Sequence, residues 1–254
     1  MKISVVQPVL ICDRPDINVE HIDRLISRID PVGDIIVLPE MFNTGFSIEP
    51  TNAEKQGGSS WTWMQETAKK TGAAIDGSLM IEENGKYYNR HVFMKPDGTY
   101  EAYDKKHLFC LSPEPTLITP GNQRKIFEYK EWKIALFTCY DLRFPSWLRN
   151  EYSNGEYAYD LLLIGADWPA SRGNTWNTLL KARAMENQCF LVGVNRVGYD
   201  KFQQIHAGDS VVLDFLGEPV LQTTPFEEAY HTVEIDKQAL IEGREKFPVA
   251  KDWD

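Results

Sequence analysis

Residues 133–145, with the sequence KIALFTCYDLRFP, carry the pattern that indicates the fold. Their first part, 133–138, is largely apolar on both faces, which predicts a strand buried between other layers. A reactive and polar cluster, Cys139-Tyr140-Asp141, follows that strand directly. The next segment, 144–150, predicts a short helix. The pattern is therefore that of a buried strand with chemically active side chains at its carboxyl end.

Two other apolar strands end in the same way. Residues 34–38 (DIIVL) lead into Pro39-Glu40, and residues 160–164 (DLLLI) lead into the sequence GADWP at 165–169. Ligands of α/β sheets bind beyond the carboxyl ends of the strands. The three polar clusters are therefore candidates to converge on one site.

Strands and helices alternate along the rest of the chain. Apolar spacing, caps and stops predict helices at 16–30, 59–70 and 175–187, the second capped by Ser59 and Ser60 and stopped by Gly72. Further strands are predicted at 3–7, 73–80, 88–94, 190–194, 210–213 and 230–235, before a last short helix. Turns are predicted at Asn84-Gly85 and at 96–98.

This alternation, with several strands apolar on both faces, predicts an α/β protein whose sheets are buried under helices. Two hairpin-like stretches favour a layered arrangement over a plain doubly wound sheet. No repeat, low-complexity tract or Pro/Gly/Ser-rich linker interrupts the sequence. We therefore expect a single domain over residues 1–254, which is within the range of single α/β domains.

The composition is that of an ordinary globular protein, with 43% hydrophobic and 25% charged residues. The formal net charge of −10 at pH 7 argues against a nucleic-acid partner, because phosphate binding needs clustered Lys and Arg. The four cysteines form no C-x-x-C pair, so zinc-ligand spacing is absent. No secretory leader or membrane-length apolar run is visible. We expect a cytoplasmic protein with free thiols.

Cys139 is the first candidate for catalysis. A lone cysteine is commonly a small buried hydrophobic residue, and that interpretation applies to this position when it is taken alone. A nucleophilic thiol needs a base or a positive neighbour. The position at a strand tip favours a nucleophile, and the following backbone N–H, on Tyr140, is placed to face a developing oxyanion.

Three charged residues are candidates for the groups that activate this thiol. Glu40, directly after an apolar strand, is either a first-turn charge or a general base. The Lys105-Lys106 pair is either solvated surface or has one lysine turned inward, because the next residues become apolar. An inward ammonium would orient a carboxylate and stabilise an oxyanion. Glu114, taken alone, is typical of a loop charge.

Taken together, these segments resemble the nitrilase superfamily of carbon–nitrogen hydrolases. The main matches are LPEMFNTGF at 38–46, YDKKHLF at 103–109 and TCYDLRFP at 138–145. The supporting matches are YYNR at 87–90, KARAMENQ at 181–188, VGVNRVG at 192–198 and GDS at 208–210. The matches cover nearly the whole chain, and their order and spacing are more specific than any one of them.

The resemblance implies a four-layer α-β-β-α sandwich with a catalytic Glu–Lys–Cys set. It identifies Glu40 as general base, Cys139 as nucleophile and Lys105, two residues before His107, as the catalytic lysine. Glu114 matches the supporting second glutamate. The implied reaction forms a thioester, releases ammonia and ends with hydrolysis by water. It needs no metal or organic cofactor.

Within the superfamily, the sequence is most similar to the ω-amidase group, which hydrolyses the terminal amide of 2-oxo acid amides such as 2-oxoglutaramate. That group commonly has Ala-Asn-Trp-Pro where this chain has Ala166-Asp167-Trp168-Pro169. Asp167 is expected to change the charge of the pocket and to repel a substrate carboxylate. Arg172 is the candidate partner of that carboxylate. Phe46 and Trp168 are candidates for pocket walls.

The remaining candidate residues receive structural interpretations. His107 and His206 are interpreted as hydrogen-bonding residues of the fold, and Arg143 as an anchor for the turn after Cys139. The segment 114–121 is a candidate cover for the pocket. Three cysteines are interpreted as inert: Cys12, Cys110 and Cys189.

The expected partner is a small-molecule amide, without nucleic acid or membrane. The resemblance also implies a homodimer or a larger homo-oligomer. Other activities of the same superfamily stay open as alternatives, namely nitrilase, carbamoylase and amidase of deaminated glutathione. A metal-dependent phosphoesterase on a similar sandwich and a non-catalytic binding protein are more distant alternatives.

Overall fold

The computed structural model describes residues 1–253 and divides them into sixteen strands and six α-helices. The strands are β1 Lys2–Gln7, β2 Ile35–Val37, β3 Ala74–Glu83, β4 Lys86–Met94, β5 Tyr100–Asp104, β6 Lys125–Tyr129, β7 Trp132–Thr138, β8 Tyr152–Ser153, β9 Glu156–Tyr157, β10 Leu161–Ala166, β11 Phe190–Asn195, β12 Val197–Tyr199, β13 Ile205–Ala207, β14 Val211–Leu213, β15 Pro219–Gln222 and β16 Ala229–Glu234. The helices are α1 Pro15–Ile26, α2 Ser59–Thr71, α3 Glu114–Leu117, α4 Pro145–Leu148, α5 Gly173–Glu186 and α6 Lys237–Lys246. Across this range no helix is both long enough and apolar enough to span a membrane.

Two six-stranded sheets form the centre of the molecule. The first has the order β16-β1-β2-β3-β4-β5, and the second has the order β15-β14-β11-β10-β7-β6. The inner strands β1, β2 and β3 are parallel, as are β7, β10 and β11, whereas the outer strands are antiparallel. Each sheet therefore has a parallel centre whose strands end at one common edge, where ligands of α/β proteins bind.

The two sheets pack face to face and helices cover their outer faces. Val5 and Val37 of the first sheet share one apolar cluster with Leu163 of the second. On the other side of the first sheet, helices α1 and α2 bury Ile22 and Met64. Helices α5 and α6 cover the second sheet through apolar residues of the first cluster, Leu180 and Leu240. This arrangement confirms the predicted four-layer α-β-β-α sandwich.

Helix α2 begins differently from the prediction. Ser59 and Ser60 make no side-chain cap, and the N-cap position is Gly58. Instead, the Glu54 carboxylate accepts hydrogen bonds from the backbone N–H groups of Ser60 (3.0 Å) and Trp61 (3.3 Å). A carboxylate at this position satisfies free N–H groups and interacts favourably with the helix dipole. The predicted stop at Gly72 is confirmed, since it adopts φ of +72° at the C-cap.

The other differences lie at element ends, at sheet edges and in small elements. Helix α1 ends at Ile26 and not at residue 30, with Ser27 as its C-cap. The short helix α3 and seven strands were not predicted: β5, β6 and β15, which lie at edges of the two large sheets, and β8, β9, β12 and β13, which form two small hairpins. The residues of β5, β6 and β15 are mostly half-buried or exposed. These edge strands therefore lack the continuous apolar pattern that marks the buried central strands.

Candidate active site

The carboxyl ends of β2, β7 and β10 converge as the sequence predicts. The backbone N–H of Glu40, just after β2, donates to the carbonyl of Ala166 at the end of β10 (3.4 Å). This approach depends on Gly165, because a Cβ there would lie 3.0 Å from the carbonyl oxygen of Leu38 and 3.2 Å from the nitrogen of Glu40. The two sheets are therefore in direct backbone contact where their polar clusters meet.

Lys105 lies at the centre of a fully buried charge cluster with Glu40 and Glu114. Its Nζ lies 2.8 Å from Oε1 of Glu40 and 3.0 Å from both carboxylate oxygens of Glu114. All three side chains are completely buried. Buried charges need close partners of opposite sign, and this cluster supplies them. The inward orientation of Lys105 and the burial of Glu114 favour the functional interpretation of both residues.

Asn89 completes this cluster and was not singled out from the sequence. Its Nδ2 donates to Oε1 of Glu40 (2.7 Å) and to Oε1 of Glu114 (3.2 Å). One amide group thus fixes the two carboxylates relative to each other. Its segment, YYNR, is one of the supporting family matches, and this match is the sequence signal that could have identified Asn89.

Two of these groups have displaced pKa values. Burial raises the pKa of Glu40 above its ordinary value; the ammonium of Lys105 opposes the shift, and the carboxylate of Glu114 adds to it. Burial alone would lower the pKa of Lys105, but Glu114 and Glu40 outweigh it and raise that pKa. The lysine is therefore a permanent cation, whereas Glu40 is suited to exchange a proton.

Cys139 follows β7 in a constrained backbone conformation, with φ of +44°. Positive φ is uncommon for a residue with a side chain and is often found at functional sites. Its Sγ lies 3.8 Å from the carbonyl oxygen of Asp167. Burial and the Glu40 carboxylate raise the pKa of the thiol well above its ordinary value, against the lowering effect of Lys105. A thiol in this setting would need a base in order to act as a nucleophile.

Asp141 ties two of the sequence motifs together, and this role was also missed. Its carboxylate accepts hydrogen bonds from the hydroxyl of Tyr103 (2.7 Å), the backbone N–H of His107 (2.9 Å) and the backbone N–H of Thr138 (3.1 Å). With Thr138 it forms a capping box around the 3-10 turn that begins at Cys139. The segments that carry Lys105 and Cys139 are thereby locked together.

A cavity of about 380 Å³ opens over Cys139 and Lys105. The four residues predicted to lie at the substrate pocket all line it: Phe46, Asp167, Trp168 and Arg172. Phe46 also packs against the charge cluster, with its ring centre 5.3 Å from Nζ of Lys105. Neighbouring loop residues Ser112 and Pro113 line the cavity, whereas the segment proposed as its cover, 114–121, does not. That prediction is wrong because Glu114, which begins the segment, points into the buried cluster.

Arg143 has a different environment from the predicted one. It lines the cavity, and its guanidinium lies 4.9 Å from the ring centre of Trp168 and 6.0 Å from that of Tyr140. Within residues 1–253 its side chain makes neither a hydrogen bond nor an ion pair. The turn after Cys139 is held by Asp141 instead, so the anchoring role predicted for Arg143 is wrong.

The two histidines interpreted as structural both contact aspartates. Nδ1 of His107 lies 2.8 Å from Oδ1 of Asp141, and its ring stacks on Phe144. Nε2 of His206 lies 2.7 Å from Oδ1 of Asp167. His206 also lines the cavity, so it belongs to the candidate site as well as to the structural framework.

Asp167 does not present an uncompensated charge to the cavity. Burial would raise its pKa, but His206 and then Arg196 outweigh burial and lower it. Its backbone also contacts both proposed reactive residues, since its N–H donates to Oε2 of Glu40 (3.0 Å) and its carbonyl faces Cys139. Asp167 was expected to change the pocket charge by itself. In the structure, two neighbouring basic residues, Arg196 and His206, lie against its carboxylate and contribute to that charge.

Comparison with known proteins identifies the family of this chain. Residues 3–245 match the carbon–nitrogen hydrolase family. The chain is 39% identical to an ω-amidase, YafV, of Yersinia enterocolitica, covering all of this chain and 97% of that protein. It is 35% identical to a 2-oxoglutaramate amidase of Bacillus subtilis, covering 94% and 92% of the two chains.

The structural comparison agrees. A carbon–nitrogen hydrolase superfamily protein from Xanthomonas campestris, with an arsenic adduct in its active site, superposes with a TM-score of 0.97. The two sequences are 39% identical, and the match covers all of this chain and 97% of the other. The chain therefore belongs to the carbon–nitrogen hydrolase family and is an enzyme that hydrolyses amide bonds other than peptide bonds.

Proposed function

We propose that the protein hydrolyses the terminal amide of a 2-oxo acid amide, such as 2-oxoglutaramate, through a thioester on Cys139. The observation that carries the proposal is the buried cluster of Glu40, Lys105 and Glu114 beside a thiol at the floor of a cavity. The names of the relatives, ω-amidase and 2-oxoglutaramate amidase, support this choice of substrate.

The first half-reaction uses Glu40 as a general base. Glu40 takes the proton of the Cys139 thiol while the sulfur attacks the amide carbon, and a carbon–sulfur bond forms. Negative charge then develops on the amide oxygen. Lys105 and the backbone N–H of Tyr140 stabilise that charge. Tyr140 lies in the first turn of the 3-10 helix Cys139–Arg143, where N–H groups have no acceptor within the helix.

The first half-reaction ends when Glu40 passes this proton on, and the second half-reaction repeats the cycle with water. Glu40 gives its proton to the leaving nitrogen, the carbon–nitrogen bond breaks, and ammonia departs. Glu40 next takes a proton from water, whose oxygen attacks the thioester carbon. When the carbon–sulfur bond breaks, the proton returns to the sulfur, and a carboxylic acid is released in place of the amide.

Glu114 and Asn89 act on this chemistry without touching the substrate. Glu114 adds a second negative charge beside Lys105, which keeps the lysine protonated and raises the pKa of Glu40. Asn89 holds both carboxylates through one amide nitrogen. These contacts keep the base at a fixed distance from the ammonium, which is the kind of preorganisation that catalysis requires.

The substrate carboxylate is bound at the other side of the cavity. Arg172 lines the cavity and makes no ion pair with any acid in residues 1–253. Its guanidinium lies 5.2 Å from the ring centre of Phe109, which leaves polar edges for a carboxylate. Phe46 and Trp168 supply apolar walls for the methylene groups between the two ends of the substrate.

A substrate panel tests the proposal. Purified enzyme is incubated with 2-oxoglutaramate, 2-oxosuccinamate, glutamine, a matched nitrile and an N-carbamoyl compound, and ammonia release is measured. We expect kcat/KM for the 2-oxo acid amides to exceed the others by about a hundredfold. Turnover of the nitrile or carbamoyl compound without turnover of 2-oxoglutaramate would reject the substrate. Undiminished turnover in Cys139→Ala would reject the mechanism.

A further inference from the structure

A second buried charge cluster forms part of the cavity wall and consists of Asp167, Arg196 and His206. Oδ1 of Asp167 lies 2.7 Å from Nε2 of His206, and Oδ2 lies 3.7 Å from Nη1 of Arg196. The three side chains are between 0% and 4% exposed. Asp167 and His206 also line the cavity. The charge of this cluster therefore acts directly on whatever occupies the cavity, because little water screens it.

Arg196 explains why an acid stands at position 167. Its guanidinium donates to the backbone carbonyls of Leu10 (2.5 Å), Tyr199 (2.9 Å) and Val197 (3.3 Å). These neutral acceptors hold the group but leave its charge unbalanced. A buried charge is costly without a partner of opposite sign, and Asp167 is the carboxylate within ion-pair distance.

Each ring nitrogen of His206 faces an oxygen that can accept a hydrogen bond. Nε2 lies 2.7 Å from the Asp167 carboxylate, and Nδ1 lies 3.2 Å from the carbonyl oxygen of Gln204. A ring with one N–H can donate to only one of these oxygens, whereas a ring with two N–H groups can donate to both.

We propose that the Asp167–Arg196–His206 cluster carries one net positive charge and that His206 is the residue that makes the pocket selective for anionic amides. This inference rests on the proposed function. It explains why an acid at position 167 is compatible with an anionic substrate. One carboxylate between a guanidinium and an imidazolium leaves the cavity wall cationic. His206 is a specificity-determining residue, because it acts through the local potential and not on the reacting atoms.

The other charges around the cavity are of both signs. Asp200, the second acid on its wall, accepts hydrogen bonds from the backbone N–H groups of Phe202 and Gln204, both at 2.8 Å, and these neutral donors leave its negative charge in place. Lys201 pairs with Glu49. Lys105 faces two carboxylates, so its cluster has an excess of acid. The positive groups that face a substrate are therefore the basic members of the Asp167 cluster and two arginines of the wall that make no ion pair within residues 1–253, Arg143 and Arg172.

A double-mutant cycle with two substrates tests the proposal. The substrates are 2-oxoglutaramate and 4-oxopentanamide, in which a methyl group replaces the carboxylate. The variants are His206→Gln, Asp167→Asn and the double variant, with His21→Gln as the matched control. His21 contacts Glu228, and neither residue belongs to the cavity lining. The measured quantity is the ratio of kcat/KM for the anionic amide to that for the neutral amide.

We expect His206→Gln to lower this ratio about tenfold, mainly through KM for the anionic amide, because Asp167 is then balanced by Arg196 alone. The double variant should regain most of the ratio, since the carboxylate is removed together with the imidazolium. The ¹⁵N signals of the His206 ring should show two protonated nitrogens in the wild type. His21→Gln should leave the ratio at the wild-type value.

Three results would overturn the inference. Equal losses for both substrates in His206→Gln would show a merely structural role. A double variant as impaired as His206→Gln would show that charge balance is not involved. A neutral imidazole in the NMR spectrum would remove the positive charge itself. Failure of the proposed function is separate, because the wild type would then hydrolyse neither amide.

Discussion

The two buried charge clusters of this protein have opposite compositions. Around Lys105, one basic side chain lies between two carboxylates, those of Glu40 and Glu114. Around Asp167, one carboxylate lies between two basic side chains. An excess of acid leaves one carboxylate with a raised pKa that can exchange a proton. An excess of base is the arrangement that we propose to give the cavity wall a positive potential, which suits the binding of an anion.

The clusters meet at a single peptide unit. The N–H of Asp167 donates to Oε2 of Glu40, and its carbonyl faces Sγ of Cys139. The side chain of the same residue belongs to the second cluster. One residue thus connects the proposed general base with the cluster that we propose to attract an anionic substrate. The two clusters have opposite compositions but are joined through one backbone unit.

The sharpest test of this separation removes the nucleophile and keeps both clusters. Cys139→Ala should lower ammonia release from 2-oxoglutaramate by about ten-thousandfold or more, because no thioester can form. Its melting temperature should stay close to that of the wild type, since every charged contact is kept. Cys110→Ala, at an exposed thiol, is the control and should stay active. Cooperative unfolding at a much lower temperature would instead give Cys139 a structural role.

Removing the single cation of the first cluster should damage both stability and activity. Lys105→Met leaves Glu40 and Glu114 buried without a counter-charge, which we expect to cost about 3–5 kcal/mol in the free energy of unfolding. Lys106→Met is the matched control at a half-buried neighbour and should cost less than about 1 kcal/mol. Urea denaturation measures both. Similar losses in the two variants would contradict the assignment of Lys105 as the inward lysine.

The sequence was sufficient to predict the strands and site residues that depend on local pattern. Strands β2, β7 and β10 were predictable because their residues are buried on both faces and form continuous apolar runs. The residues at their carboxyl ends followed from the strand positions. Edge strands such as β6, whose residues are mostly half-buried, have no such pattern, so their pairing could only be seen in three dimensions.

The charge balance of the site was not predictable in the same way. Asp167 was expected to repel a substrate carboxylate, because the sequence does not show that Arg196 and His206 lie against it. The bridging contacts of Asn89 and the central position of Asp141 were missed for the same reason. Each of these contacts joins segments that are distant in the sequence, and such contacts are set by the packing of the two sheets.

The pH dependence of the reaction probes the acidic cluster. Burial and Glu114 raise the pKa of Glu40, so kcat/KM should fall at low pH with a midpoint above 4.5, the ordinary value for Glu. Glu114→Gln removes one of the raising causes and should move this midpoint to lower pH. It should also lower kcat about tenfold to a hundredfold, since the carboxylate that holds Lys105 is lost.

The same displacement affects stability with a defined sign. Folded Glu40 holds its proton more tightly than the unfolded chain does. Its contribution to the free energy of unfolding is therefore present below the ordinary pKa of Glu and is lost as pH rises through the folded pKa.

A pH–rate profile measures the catalytic midpoint. An identical midpoint in Glu114→Gln and the wild type would show that the two carboxylates are not coupled.

The smallest expected effect concerns the cationic side of the cavity. Arg172→Gln removes an arginine that has no acidic partner within residues 1–253, so the substrate carboxylate loses one charge-assisted contact. We expect KM for 2-oxoglutaramate to rise about threefold to tenfold with little change in kcat, because the contact is made equally in the ground state and the transition state. Arg172→Lys keeps the charge and should recover part of the loss. If steady-state kinetics showed the same KM for Arg172→Gln and the wild type, the carboxylate would be bound elsewhere, with Arg143, the other unpaired arginine on the wall, as the next position to test.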